Sequence, residues 1–263
     1  DKMHLTFGLR LRDEVEWRGA GVAIPVFSLR SKNSWGVGEF SDLKLMAKWA
    51  KQTGMSVIQV LPVNDTSASH TWHDSYPYNA ISSFALHPLY LGAKAAIDNC
   101  KKLTEKSSHA TLEALLTKYK PQAEKLNSLT ALDYDKAIKL KIKFLKELYK
   151  LCGKQVMASK TFMDFLVESQ NWLLPYAIYC ALRDKYSTTN FHKWEELSTY
   201  TETAAYGGWD VEDAVPYVFK IVPYGSRAVP PMPTASENPI LTFCNSPPDP
   251  SHGLSPTIRY HKT

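Results

Sequence analysis

The sequence predicts an α/β fold: a strand–helix–strand unit, a helical subdomain inserted after it, and a Pro-rich irregular tail. Three observations carry this. Two short runs, residues 22–27 and 57–61, are apolar on successive positions, as strands buried on both faces are, and a helical repeat separates them. From about residue 90 to 200 the apolar spacing becomes that of helices. Ten of the sixteen prolines then fall between residues 216 and 256.

Residues 1–18 alternate Leu5, Phe7, Leu9 and Leu11 with charges, and are expected to be a linker or an entering strand. Residues 19–90 are expected to hold the first βαβ unit and a substrate loop. Pro25 is awkward within a central strand, so the first strand should end or bulge there. The polar loop 28–40 carries Gly36 and Gly38, whose spacing is not G-x-G-x-x-G, and backbone flexibility is their expected use. Ser41 is the expected N-cap of the following helix. Leu43, Met46, Ala47 and Ala50 line one face of that helix, and Gly54 stops it. Two strands joined through a helix imply parallel pairing with a right-handed crossover.

The stretch Trp72-His73-Asp74-Ser75-Tyr76-Pro77-Tyr78 follows the second strand, dense in acidic, polar and aromatic side chains. A loop just beyond a buried parallel strand is where α/β enzymes keep their sites.

Residues 91–201 are expected to form the helical insertion. A helix capped by Asp133 carries Ile138, Ile142, Leu145 and Tyr149, and Gly153 is expected to end it. A second helix carries Phe162, Phe165 and Leu166. A third carries Leu173, Tyr176, Ala177 and Cys180, with Pro175 in its first turn. The interval 99–128 is polar and weakly periodic and yields no assignment. Within residues 202–263 a short strand is expected at 215–222, and the proline clusters read as extended chain.

Composition excludes several classes. Hydrophobic residues make up 44% and charged residues 22%, ordinary for a globular protein, and 263 residues suffice for a sizeable core. A formal charge of +5, without a run of five basic residues, argues against nucleic acid as a partner. Lys136 to Lys150 read as a solvated helix face. Cys100, Cys152, Cys180 and Cys244 are far apart without a C-x-x-C pair, which predicts neither a zinc site nor a disulfide framework, and favours a reducing compartment. No apolar run is long enough for a membrane span, and no signal peptide opens the chain. A chain that begins at Asp1 is expected to be a piece of something longer. His73 and His87 lack metal-ligand spacing, so no metal and no cofactor are expected.

Several ordered motifs resemble a known family. They are Gly21-Val22-Ala23-Ile24-Pro25-Val26-Phe27, Trp35-Gly36-Val37-Gly38-Glu39-Phe40, Gln59-Val60-Leu61-Pro62, Asp74-Ser75-Tyr76-Pro77-Tyr78, and Ser82-Ser83-Phe84-Ala85-Leu86-His87-Pro88. Together they resemble the amylomaltases, the 4-α-glucanotransferases also called disproportionating enzymes. Trp172-Leu173, Tyr176-Ala177 and Ala181-Leu182-Arg183-Asp184 resemble its helical segment. Within the family the motifs are most similar to the plant cytosolic form, and the resemblance covers about residues 17–200. The family usually reads Asp-Ser-Pro-Tyr, whereas Tyr76 is inserted here between Ser75 and Pro77.

The resemblance implies the N-terminal part of a (β/α)8 barrel and a retaining double displacement between α-1,4-glucans. One carboxylate forms a glycosyl-enzyme, while a second serves first as acid and then as base. The family's nucleophile lies in a segment similar to Arg-Ile-Asp-His, and none exists here. Arg183-Asp184 is the nearest string and reads as an exposed helical ion pair. No catalytic residue is therefore assigned, and the chain alone is expected to be inactive. The implied substrate-binding residues are Asp74, Ser75 and Tyr78, with Tyr78 stacking on a glucosyl ring. An Asx-turn that fixes the loop is the competing reading of Asp74. The implied partners are maltose, maltooligosaccharides or branched glucan, and the implied compartment is the cytosol. The rivals are a non-catalytic glucan-binding fragment and an aberrant truncated product without a function of its own.

Overall fold

The computed structural model describes residues 19–194. The expected strand within 1–18, the strand at 215–222 and the Pro-rich tail lie outside the described residues. Strands β1 (Gly21–Ala23) and β2 (Val57–Gln59) pair in parallel, with Gly21 opposite Val57 and Ala23 opposite Gln59. Bonds from Ile24 N–H to the Gln59 carbonyl and from Ser56 N–H to the Ala20 carbonyl, each 2.8 Å, extend the ladder. Pro25 ends the first strand as expected: it lies extended and starts a 3-10 turn, Val26–Ser28. Gly38 rests on that turn so closely that a Cβ would meet the Val26 carbonyl oxygen at 1.9 Å, and Gly36 has φ +80°. Close approach and a left-handed backbone, rather than flexibility, are what these glycines supply.

Helix α1 (Phe40–Gln52) starts earlier than Ser41. Its N-cap is Glu39, whose N–H donates to the Asp42 carboxylate at 2.8 Å, the return bond of a capping box. Asp42 also accepts the Ser34 hydroxyl at 2.9 Å, so the acidic residue, not the serine, fixes the helix start. Gly54, with φ +73°, follows the C-cap Thr53 as expected.

Four helices follow: α2 (Ala93–Leu103), α3 (His109–Asn127), α4 (Tyr134–Met157) and α5 (Lys160–Tyr186). The interval without a sequence assignment thus forms the end of α2 and all of α3. Leu112, Leu115, Tyr119, Ala123 and Leu126 are its buried face. Asp133 caps α4 by accepting the Lys136 N–H at 3.1 Å. Gly153 does not end α4, which runs four residues further to Met157. The Tyr149 ring lies against it, where a Cβ would meet Cδ2 at 2.5 Å, so this glycine makes room for a ring.

The expected second and third helices are one continuous helix, and Pro175 sits inside α5 rather than in a first turn. Proline removes one main-chain donor there and disfavours the turn before it. Burial of Phe162, Phe165, Leu173, Ala177 and Leu182 on both sides of it outweighs that local cost.

One contiguous apolar core joins the βαβ unit to the helices. Trp35, from the loop before α1, stacks on Tyr119 of α3 at 5.9 Å and meets Phe144 of α4 edge-on at 5.0 Å. Beside it, Lys141 of α4 is buried with its ammonium 2.8 Å from Glu39 and 2.6 Å from the Leu91 carbonyl. Burial pushes the Glu39 carboxyl up and the Lys141 ammonium down, and their pairing opposes both. Among the described residues no helix is long and apolar enough to cross a membrane.

Candidate functional site

Beyond β2 the chain turns out and returns to itself. Asn64 and Leu86 form an isolated antiparallel bridge, and His87 N–H donates to the Val63 carbonyl at 2.9 Å. The bond from Asp65 N–H to the Ala85 carbonyl, 2.8 Å, closes the neck of a loop that contains the Trp72–Tyr78 stretch.

Two buried carboxylates hold this loop from within. Asp74 accepts the Ser69 N–H at 2.8 Å, the Ser69 hydroxyl at 3.0 Å and the His70 N–H at 2.6 Å. These bonds keep His70 at φ +55°, a left-handed conformation that costs a non-glycine residue roughly 1 kcal/mol or more. Asp65 accepts the Ser67 N–H at 2.8 Å, the Ser67 hydroxyl at 2.5 Å and the Tyr176 hydroxyl of α5. Burial pushes the Asp65 carboxyl up, but the His87 ring and the donors from Ser67 and Tyr176 outweigh it and hold it below the ordinary carboxylate value.

Helix α5 adds a second grip about two turns on. The Arg183 guanidinium is buried, donates to the Ser67 carbonyl and pairs with Asp184 at 2.7 Å. Arg183-Asp184 is therefore not an exposed surface pair. Arg183 is an anchor for the loop, because a guanidinium sunk against a main-chain carbonyl keeps its donors satisfied out of water.

His87, just past the neck of the loop, is 2% exposed. Its Nδ1 accepts the Leu89 N–H at 3.1 Å, which leaves the proton on Nε2 to donate to the Tyr134 oxygen at 3.0 Å. Burial holds its pKa below 6.5, so the ring is neutral at pH 7. Burial, with Asp74 and Asp65 nearby, pushes the Tyr134 phenol well above its usual range. Thr66 continues the chain of polar contacts by donating to the Asp74 carbonyl at 2.5 Å.

Of these groups, Thr66, Asp74, His87 and Tyr134 line a cavity of about 310 Å³. Trp72, Asp74, Ser75 and Pro77 line it together with His87, Tyr90 and Tyr134, and Phe27 and Leu89 add apolar surface. The size is that of a small-ligand pocket, and an exposed indole beside hydroxyls and amides suits a molecule with an apolar face and polar edges. Asp74 and Asp65 each bind three donors, so neither is free to serve as acid or nucleophile. Among the described residues no group of three or more His, Cys, Asp or Glu side chains is placed to hold a metal ion.

Asp74 and Ser75 line the cavity, but they differ in role. Asp74 is buried and turned into its own loop, but it accepts from Ser69 and His70 before it rather than from an N–H two residues on, so the bond is not an Asx-turn, and Ser75 is exposed. Tyr78 is half-buried, packs 5.5 Å from the Tyr76 ring, and is not part of the cavity lining. Sequence reasoning passed over Asp65, placed Tyr176 only on a helix face, and read Arg183 as part of an exposed ion pair. The signal was present for two of them: Tyr176, Cys180 and Arg183 fall at i, i+4 and i+7, one helical face.

A sequence profile described as 4-alpha-glucanotransferase matches residues 24–216. The chain is similar to "4-alpha-glucanotransferase DPE2" of Oryza sativa subsp. japonica, with 40% identity over 189 residues, 72% of this chain and 19% of that protein. It is also similar to a 4-alpha-glucanotransferase of Chlamydia muridarum, with 33% identity over 69% of this chain and 31% of that protein. The chain thus spans between a fifth and a third of the length of these relatives. A crystal structure of amylomaltase from Corynebacterium glutamicum superposes with a TM-score of 0.58 over 85% of this chain and 28% of that one, at 16% identity. That likeness shows a shared α/β fold similar to that of a TIM barrel; the described residues hold two parallel strands.

Proposed function

Because the chain belongs to the 4-alpha-glucanotransferase family, we propose that residues 19–194 form one side of a glucan cleft in an enzyme that moves glucosyl or maltosyl units between α-1,4-glucans. The observation that carries this reading is the cavity beyond β2, walled by Trp72, Ser75 and the Asp74-anchored loop. Glucosyl rings present apolar faces to aromatic side chains and hydroxyl edges to polar ones, and the cavity offers both.

The chemistry would be a retaining double displacement, which needs two carboxyls about 5 Å apart, one as nucleophile and one as acid and base. Asp65 and Asp74 do not fit that pair, since their oxygens are occupied by loop and helix donors. The 263 residues contain no Arg-Ile-Asp-His segment. We therefore assign the chain the sugar cradle and not the reacting groups. In that cradle Asp74 sets the loop, Ser75 donates to a sugar hydroxyl, and Tyr78 stacks at the rim beside Tyr76. The partners that suit this site are maltose, maltooligosaccharides or a branched glucan. Residues 19–90 would be the barrel's first βαβ unit and 91–201 its helical insertion. The cytosol is the compartment that fits the likeness to the plant form.

Incubation of the purified chain with maltose and glycogen tests the assignment. The expected result is no release of glucose; steady release proportional to protein would show that this chain holds its own catalytic pair.

A further inference from the structure

Cys100 and Cys152 are 52 residues apart in sequence, yet their sulfurs meet inside the helical part. Cys100 lies in the last turns of α2 and Cys152 in the second half of α4, 4% and 0% exposed. The Sγ–Sγ distance is 2.8 Å, and both are free thiols. A disulfide requires about 2.05 Å, so closing the bond needs the sulfurs to approach by roughly 0.8 Å, within the reach of a small χ1 adjustment. Thiols this close and this well shielded are not needed for packing, which a Val or Ala would satisfy.

We propose that Cys100 and Cys152 are a latent disulfide, a modification site that bolts α2 to α4 when the chain meets a peroxide or a diazene oxidant. The hydrogen bond between the sulfurs separates their acidities. That bond and burial push the Cys100 thiol up, while the same bond holds the Cys152 thiol below its ordinary value against burial. Cys152, once deprotonated and held by the Cys100 S–H, can then act as the attacking thiolate. With hydrogen peroxide, the Cys152 thiolate attacks one oxygen, the O–O bond breaks, and a sulfenic acid and hydroxide form. The Cys100 sulfur then displaces the sulfenic oxygen, its proton leaving with that oxygen as water. Two thiols and one peroxide become one disulfide and two waters.

Fraying at the end of α2, the shortest of the four α-helices after β2 among the described residues, would admit the oxidant; α2 stops at Leu103, shortly before the exposed Lys106 and Ser107. The consequence is local and mechanical. The segment that precedes α2 supplies Leu89 and Tyr90 to the cleft, and the start of α4 supplies Tyr134. The bond would tie α4 to the helix that follows Leu89 and Tyr90. It would also close a loop of 52 residues, large enough to constrain the unfolded chain strongly.

Treating the native chain with diamide or hydrogen peroxide, followed by alkylation, intact-mass measurement and peptide mapping, tests the proposal. The expected product has lost the mass of two hydrogens, contains one cross-linked peptide joining Cys100 to Cys152, and melts roughly 5 °C or more higher, reverting on reduction. If both cysteines remain fully alkylatable after unfolding of the treated chain, the proposal is overturned. Oxidised products that join Cys100 or Cys152 chiefly to Cys180, to Cys244 or to another chain would overturn it equally.

Discussion

Arg183, near the end of α5, donates to the main-chain carbonyl of Ser67, 116 residues earlier in the chain. About two turns before it, Tyr176 donates to Asp65. A single helix face thus grips the loop that walls the cleft at two points, and the loop's shape depends on a helix far away in sequence.

Removing either grip should loosen the loop. Arg183→Met leaves the Ser67 carbonyl and Asp184 without their cation and is expected to cost about 2–3 kcal/mol, and Tyr176→Phe about 1.5–3 kcal/mol, because both bonds involve a charged group. Urea denaturation measures this. Hydrogen exchange should show residues 65–74 opening in both variants while α4 remains protected; unchanged protection in the loop would contradict the two-point grip.

His87 makes the stability pH-dependent. Its folded pKa is depressed below 6.5 by burial, so the unfolded chain binds the proton more readily. Its contribution is therefore fully present above about pH 6.5 and is lost as the pH falls below that value toward the folded pKa. His87→Gln keeps a donor toward Tyr134 and does not titrate. Between about pH 7 and pH 5 the wild-type chain should lose stability more steeply than this variant; parallel curves would show that His87 is not the group responsible.

The buried Glu39–Lys141 pair joins the βαβ unit to α4. Lys141→Met strands a buried carboxylate and should cost about 3–5 kcal/mol. The double variant Glu39→Leu with Lys141→Met removes both charges and should recover most of that loss. Denaturation of the four proteins of the cycle checks this; a double variant as weak as the sum of the singles would mean the two charges act independently.

The βαβ unit was legible because its signals are local: two apolar runs, a helical face and a stop at Gly54. The readings that failed were also local, and tertiary contacts overruled them. Gly153 looks like a stop until the Tyr149 ring is seen lying against it. Pro175 looks like a boundary until the apolar positions on both sides prove to share one core. Ser41 looks like a cap because serine often is, but Asp42 accepts the Glu39 N–H and moves the start of α1. Of the cavity, the stretch that holds Trp72, Asp74, Ser75 and Pro77 stood out by its density of polar and aromatic groups after β2. The grips from Tyr176 and Arg183, and the meeting of Cys100 with Cys152, depend on contacts across 52 to 116 residues that no local pattern encodes.

The central claim is that the loop after β2 cradles a glucan. Calorimetric titration of the chain with a linear maltooligosaccharide, alongside Tyr78→Ala and Ser75→Ala checked for an unchanged melting temperature, tests it most directly. The account predicts millimolar-range binding, about −4 kcal/mol, that falls roughly tenfold in Tyr78→Ala and less in Ser75→Ala. No heat of binding at millimolar sugar, or an affinity indifferent to both substitutions, would contradict it.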